Sequence, residues 1–219
     1  MKLLAFADIH GSLESTEKII KLTSIINVDA ILIAGDIAIN DLNLAKKILM
    51  KIESSFSKPI FFVPGNMDSR SLTFFKSDKI KSVHGSCETI GDFSIIGVGG
   101  AVSFLSTPFE LTEKEIELKL NEALKAYKRG SLILLSHAPP KNTKLDKVGI
   151  NLHVGSNAIR KFIEERRPVL AVSGHIHEAK GLDKIGETFI VNPGPAFQGY
   201  YAEVKIDTPQ KVEINLLSF

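Results

Sequence analysis

Residues 2–12 read Lys-Leu-Leu-Ala-Phe-Ala-Asp-Ile-His-Gly-Ser, and the reading of this stretch decides the fold. Leu3 to Ala7 form an unbroken apolar run, which suits a strand buried on both faces of a sheet. The run then delivers Asp8 and His10, followed by Gly11 and Ser12. A carboxylate and an imidazole two positions apart are poor core material. At the carboxyl end of a central strand they are well placed to bind something, because open α/β sheets hold ligands there.

The same pattern recurs along the chain. Ala30-Ile31-Leu32-Ile33-Ala34 is a second buried strand ending in Gly35-Asp36, and Pro59-Ile60-Phe61-Phe62-Val63 a third, ending in Pro64-Gly65-Asn66-Met67-Asp68. Leu132-Ile133-Leu134-Leu135 leads to Ser136-His137, and Val169-Leu170-Ala171-Val172-Ser173 leads to Gly174-His175-Ile176-His177. Helical patterns separate the first three strands. One starts at Ser12 and takes its apolar face from Leu13, Ile19, Ile20 and residues 22–26; another covers 42–52. Strand–helix–strand alternation of this kind predicts parallel units with right-handed crossovers.

The middle is less regular: a hairpin is expected over 90–98 around Gly91-Asp92, then a loop from Gly97 through Pro108. Residues 112–128 read as a helix, with Thr112 as cap, Glu115 at the capping-box position, and Gly130 as the stop. Residues 141–155 show neither helical nor strand periodicity, and 156–167 read as a further helix. Short strands are expected near 188–192, 200–206 and 211–217. One domain over 1–219 is the economical reading.

Composition narrows the function classes. The chain has 219 residues, 44% hydrophobic and 24% charged, which is ordinary for a soluble globular protein. A net charge of +2 makes long nucleic acid an unattractive partner. No apolar run approaches the roughly 18 residues a membrane span needs, so no membrane partner is expected. The single cysteine, Cys87, fits a reducing compartment and a cytoplasmic location. Homo-oligomerisation is left open.

The strand ends together carry Asp8, His10, Asp36, Asn66, His137, His175 and His177. Imidazoles, carboxylates and a carboxamide are sufficient for two metal ions with open positions. Mixed nitrogen and oxygen ligation favours Mn, Fe, Zn, Ni or Co over Mg or Ca, and Mn is the ion expected first. Two divalent ions against two carboxylates leave about +2, which suits an anionic substrate and an ionised water.

Here the chain resembles the calcineurin-like metallophosphoesterases, whose motifs are D-x-H, G-D, G-N-H-[D/E], H and G-H-x-H. They stand as Asp8-Ile9-His10, Gly35-Asp36, Gly65-Asn66-Met67-Asp68, His137 and Gly174-His175-Ile176-His177, in order and at strand ends. The resemblance implies an α/β fold of two packed mixed β-sheets flanked by helices. It also implies that Asp8, His10 and His177 hold one metal, that Asn66, His137 and His175 hold the second, and that Asp36 bridges them. The activity implied is hydrolysis of a small phosphate ester by a metal-bound hydroxide. Met67 departs from the pattern, since the family commonly has a histidine there that protonates the leaving oxygen. A thioether cannot donate a proton. Small prokaryotic members with a non-histidine residue at this point look like phosphodiesterases, so diester hydrolysis is expected. The alternatives are a phosphomonoesterase and a catalytically weak scaffold of the same fold, for which the retromer subunit is the precedent.

Asn66 and His153 are the residues assigned to catalysis, Asn66 beside the phosphate oxygens and His153 as a replacement for the missing acid. His153 lies in the long loop close to Asn151. Asp68 reads as the cap of a helix over 69–76, in preference to a support for Asn66. His84 reads as a surface turn residue and Arg70 as a solvated one. Phe104 and Phe109 line a substrate cleft, form a dimer contact or pack their own loop, and Cys87 has no partner in sequence that would make it a nucleophile. Gly97-x-Gly-Gly is too loose for a nucleotide fingerprint.

Overall fold

The computed structural model describes residues 1–102, 106–150 and 152–219; Phe104 and Asn151 lie outside the described residues. The first half of the chain runs β1 (Lys2–Phe6), α1 (Leu13–Ile25), β2 (Ala30–Ala34), α2 (Leu42–Ser55), β3 (Ile60–Val63), β4 (Ile80–Ser82), β5 (Cys87–Ile90) and β6 (Phe93–Val98). The second half runs α3 (Glu113–Ala126), β7 (Ser131–Ser136), β8 (Lys147–Val148), β9 (Leu152–His153), α4 (Asn157–Arg166), β10 (Leu170–Val172), β11 (Gly181–Ile185), β12 (Thr188–Asn192), β13 (Tyr200–Thr208) and β14 (Lys211–Ser218). Among the described residues, two six-stranded mixed sheets form, in the orders β14-β13-β1-β2-β3-β4 and β11-β12-β10-β7-β6-β5.

The expected unbroken apolar strands follow from this stacking. Leu4, Phe6, Ile31, Ile33, Ile60 and Phe62 face α1 and α2, while Leu3, Ala5, Leu32, Ala34, Phe61 and Val63 face the other sheet. Side chains alternate across a strand, so both faces of β1, β2 and β3 are buried and neither can be polar. The second sheet repeats the arrangement, with Ile96, Leu134 and Ala171 packing among α3 and α4 residues such as Leu120 and Phe162. β1 pairs in parallel with β2, and β2 with β3, so their carboxyl ends stand side by side; β7 and β10 also run parallel.

Several expectations change in detail. In α1 the inward face is Ser15, Thr16, Ile19 and Thr23, whereas Leu13 and Ile25 are exposed. Small polar residues face inward there because α2 packs closely against α1, and hydroxyls satisfy themselves on carbonyls one turn back, as Thr16 does on Ser12. The helix expected over 69–76 is a single 3₁₀ segment, Arg70–Phe74, whose preceding Ser69 makes no side-chain cap bond. The capping box of α3 forms as read, with Thr112 and Glu115 bonded reciprocally. The region 141–155 contains a 3₁₀ turn, Lys144–Asp146, and the small ribbon β8–β9. No helix of the described residues is long and apolar enough to cross a membrane.

Candidate metal centre

The ends of β1, β2, β3, β7 and β10 converge on one spot. Asp8, His10, Asp36 and His175 all adopt the left-handed backbone region, at φ of 55°, 50°, 51° and 73°. For residues with a Cβ this costs on the order of 1–2 kcal/mol each, and strain of this kind concentrates at functional sites. The loops hold one another in it: Asp8 N–H donates to Gly35 C=O at 2.9 Å, His10 N–H to Asp36 C=O at 2.8 Å, and Gly174 N–H to His137 C=O at 3.0 Å. Gly35 at φ 86° is needed for contact reasons too, because a Cβ there would stand 2.4 Å from His137 Nδ1.

Two groups of donors result, Asp8 with His10 and His177, and Asp8 with Asp36 and His137. In the first, His10 Nε2 and His177 Nε2 are 3.2 Å apart, and His177 Nε2 is 3.7 Å from Asp8 Oδ1. Asp8 is common to both groups, and Asp36 also reaches toward each, with Oδ2 3.7 Å from His10 Nε2 and Oδ1 3.6 Å from His137 Nε2. His137 Nε2 lies 2.8 Å from Asn66 Oδ1, and the His175 ring packs on that of His137 at 5.0 Å between centroids. All seven residues predicted from the strand ends are therefore brought to one place.

These residues fit metal ions on chemical grounds. Ligand bonds of about 2.0–2.1 Å put neighbouring donor atoms roughly 3–3.4 Å apart, close to the spacings seen. The Nδ1 of His137 faces Ala34 C=O at 2.8 Å and must donate to it, so a neutral ring turns a bare Nε2 toward the amide oxygen of Asn66. Either a second proton or a cation relieves that opposition. Burial disfavours the charged ring of His137, but the carboxylates of Asp36 and Asp8 outweigh it and raise its pKa. His177 is raised mainly by the Asp8 carboxylate beside it. Burial, with the His137 charge beside it, pushes His175 down to about 3, so that ring is neutral at pH 7. The raised pKa values of His137 and His177 favour protons at the positions a metal would take. Uptake of Mn²⁺ should therefore release protons near neutrality, and apparent affinity should fall as pH is lowered. Calorimetry in buffers of different ionisation enthalpy checks this; proton release of zero at pH 7 would contradict it.

Asp68 is fully buried and does not cap a helix. It accepts hydrogen bonds from the backbone N–H groups of Ile37, Ala38 and Gly65 at 3.0, 2.8 and 2.8 Å. It thus ties the loop after Asp36 to the loop before Asn66, the support reading rather than the cap. Met67 contributes through its backbone, donating to Asp36 Oδ1 at 2.8 Å. His84 is half-buried and not merely solvated: its Nδ1 accepts from Gly99 N–H at 2.9 Å, its ring packs on Phe109, and burial pushes its pKa down to about 4. Phe109 is buried in its own loop and its N–H donates to Asn66 C=O, while Arg70 lies over the Phe109 ring and donates to Glu110 C=O.

His153 is not one of the residues in the two donor groups. Its Nδ1 is 2.6 Å from Asp146 Oδ1, and Asp146 is buried and also accepts from the N–H groups of Asn142, Thr143 and Gly155. One carboxylate therefore organises the region that lacked periodicity. Sequence reasoning passed over Asp146, and it passed over Phe197, whose ring lies 5.3 Å from both the His10 and the His177 rings. The signal for Phe197 was the Asn192-Pro193-Gly194-Pro195 turn, which places the following residues against the end of β1.

Comparison with known proteins accords with this geometry. Residues 1–179 match the family model described as calcineurin-like phosphoesterase. The uncharacterized protein MJ1162 of Methanocaldococcus jannaschii is 33% identical over 201 residues, covering 89% of this chain and 88% of that protein. A probable cyclic nucleotide phosphodiesterase of Vesicomyosocius okutanii is 27% identical over 188 residues, covering 83% and 76%. In fold, the crystal structure of TT1561 from Thermus thermophilus superposes with a TM-score of 0.74 at 20% identity, covering 98% of this chain and 97% of that one.

Proposed function

The chain belongs to the calcineurin-like phosphoesterase family, and from that premise we propose that it is a dinuclear-metal phosphodiesterase acting on a small phosphate diester. The observation that carries the reading is Met67, half-buried within the candidate ligand set, which keeps its backbone bond to Asp36 but offers no proton. Loss of a proton donor typically costs 10²–10⁴-fold, and it costs least where the leaving oxygen is already a good leaving group. The relative named as a probable cyclic nucleotide phosphodiesterase supports the same substrate class.

Two divalent ions held by this donor set, Mn²⁺ first among those to be tried, would supply charge for the phosphate oxygens and a water that ionises near neutral pH. The Met67 N–H orients the Asp36 carboxylate, which would contact both ions. Asn66, with Oδ1 turned toward His137 Nε2, keeps its NH₂ group for a nonbridging oxygen. For leaving groups that still need an acid, His153 is the proposed donor: its Nδ1–H donates to Asp146, which orients the ring and leaves Nε2 to carry the proton. Support for this role comes from the position of β8, partner of the β9 strand bearing His153, which packs beside the 3₁₀ turn His177–Ala179. Near-neutral charge favours a small substrate, and free Cys87 fits a cytoplasmic setting.

Hydrolysis of bis(p-nitrophenyl) phosphate against p-nitrophenyl phosphate by Mn²⁺-loaded protein tests the reading. Diester turnover should exceed monoester turnover well over tenfold; the reverse order indicates a monoesterase, and no turnover with two metals bound indicates a scaffold. His153→Ala should lower kcat by about a hundredfold on alkyl diesters and far less on nitrophenyl esters, whose leaving oxygen needs no acid. Metal content should not change. Equal losses on both substrate types would remove His153 from proton transfer.

A further inference from the structure

Phe197 is 39% exposed, yet it is tightly placed. Pro195 bridges Ala7 at the end of β1, Ala196 N–H donates to Ala7 C=O at 2.8 Å, and Phe197 N–H donates to Asp8 C=O at 3.1 Å. Its ring meets the His10 ring at an interplanar angle of 84° and the His177 ring at 69°. Those are the two imidazoles whose Nε2 atoms converge to 3.2 Å. A phosphate drawn to a metal ion on these nitrogens would therefore lie near a phenyl ring that packs against the ligands and is partly open to solvent.

We propose that Phe197 is the wall against which the retained organic arm of the substrate stacks, so that the site selects phosphate diesters with a planar ring on that arm. The inference rests on the phosphodiesterase reading and names the substrate class within it. The ring has no hydrogen-bonding group, so it reads planarity and not base identity, and aromatic platforms of this kind are tolerant of base type. Its cost in flexibility is small, because the backbone bonds to β1 and the contacts with both imidazoles already hold it. Stacking on an aromatic side chain commonly contributes about 5- to 100-fold in affinity, judged by alanine substitution.

The test keeps p-nitrophenolate as the leaving group and varies the retained arm: methyl, phenyl or thymidine 5′-yl. In wild-type protein KM should rise at least about tenfold from the ring-bearing arms to the methyl arm, and Phe197→Ala should collapse that ratio toward one. Phe197→Leu, which keeps apolar bulk without a planar face, should also collapse it. Phe197→Trp should retain it, and because the chain contains no other tryptophan its fluorescence reports binding directly. Phenylphosphonate should bind the Mn²⁺-loaded Trp variant several-fold more tightly than methylphosphonate and alter the emission. Metal content is measured for each variant. An unchanged KM ratio in Phe197→Ala and Phe197→Leu overturns the proposal, as does loss of metal with equal losses on every arm, which makes Phe197 a support for His10 and His177 only. If no diester of any kind is turned over, the phosphodiesterase reading fails, a different result from either of these.

Discussion

Gly65→Ala should abolish metal binding and reduce hydrolysis by at least about a hundredfold while leaving both sheets assembled. A Cβ at this position would fall 2.0 Å from Asp36 Oδ1 and 2.3 Å from the Asp36 backbone nitrogen. Neither atom can retreat. Asp36 C=O accepts from His10 N–H, its Oδ1 accepts from Met67 N–H, and the adjoining loop is bonded to Asp68. The clash must therefore be relieved by moving the carboxylate that reaches toward both donor groups. Overpacking of this sort costs about 1–3 kcal/mol in stability, which the fold can bear. Gly186→Ala serves as the control, since a Cβ there meets nothing within 4 Å and only its φ of 57° resists the change. Metal content by elemental analysis, alongside hydrolysis, decides the matter; two bound metals with near-normal turnover would show that the loop yields.

Asp68→Ala should be the most destabilising single change near the site. It strips the partner from three backbone N–H groups in a fully buried position. Each unsatisfied donor costs about 1–3 kcal/mol, so a loss of roughly 3 kcal/mol or more is expected even if water enters the space. For a chain of this size each kcal/mol lowers the thermal midpoint by about 2–4 °C, giving a fall of roughly 6–12 °C. A midpoint within about 2 °C of wild type, less than 1 kcal/mol is worth, would mean the three donors find other partners. The pH dependence adds a second check. In the metal-free protein, burial and then the Asp36 charge push Asp68 from 3.8 up to about 7. The folded state then binds a proton that the unfolded chain has released, so this group costs more stability as pH rises from about 4 to about 7. Asp68→Asn should flatten that part of the metal-free stability curve. Bound metals should reduce the slope without abolishing it, because they offset the Asp36 charge but leave the larger effect of burial in place.

Buried strands are easy to read because their chemistry is local. Leu3 to Ala7, Ala30 to Ala34 and Ile60 to Val63 have no polar face, and only a sheet covered on both sides accepts them. The capping box at Thr112 and Glu115 is legible for the same reason, since all its partners lie within one turn. Periodicity is a poorer guide to α1: Leu13 and Ile25 are exposed, because the approach of α2, not hydrophobicity, determines which face can be buried. Asp68 is misread from its neighbours in sequence, as a cap for the segment after it, when its bonds reach back thirty residues to Ala38. His84 is misread in the same way, its partner Gly99 being fifteen positions away.

By itself, then, the amino-acid sequence determined which strand ends carry the candidate ligands, the parallel units that deliver them, and the chemical departure at Met67. Each of these depends on residue type and on spacing within a segment. The tertiary structure alone decided that Asp8, His10, Asp36 and His175 take left-handed backbones, that Asp68 and Asp146 each organise a loop, and that Phe197 lies against two imidazoles. The physical reason is common to all three. A strained φ, a buried carboxylate and an exposed ring are each unfavourable in isolation, and they persist only where distant segments supply the hydrogen bonds and contacts that offset them.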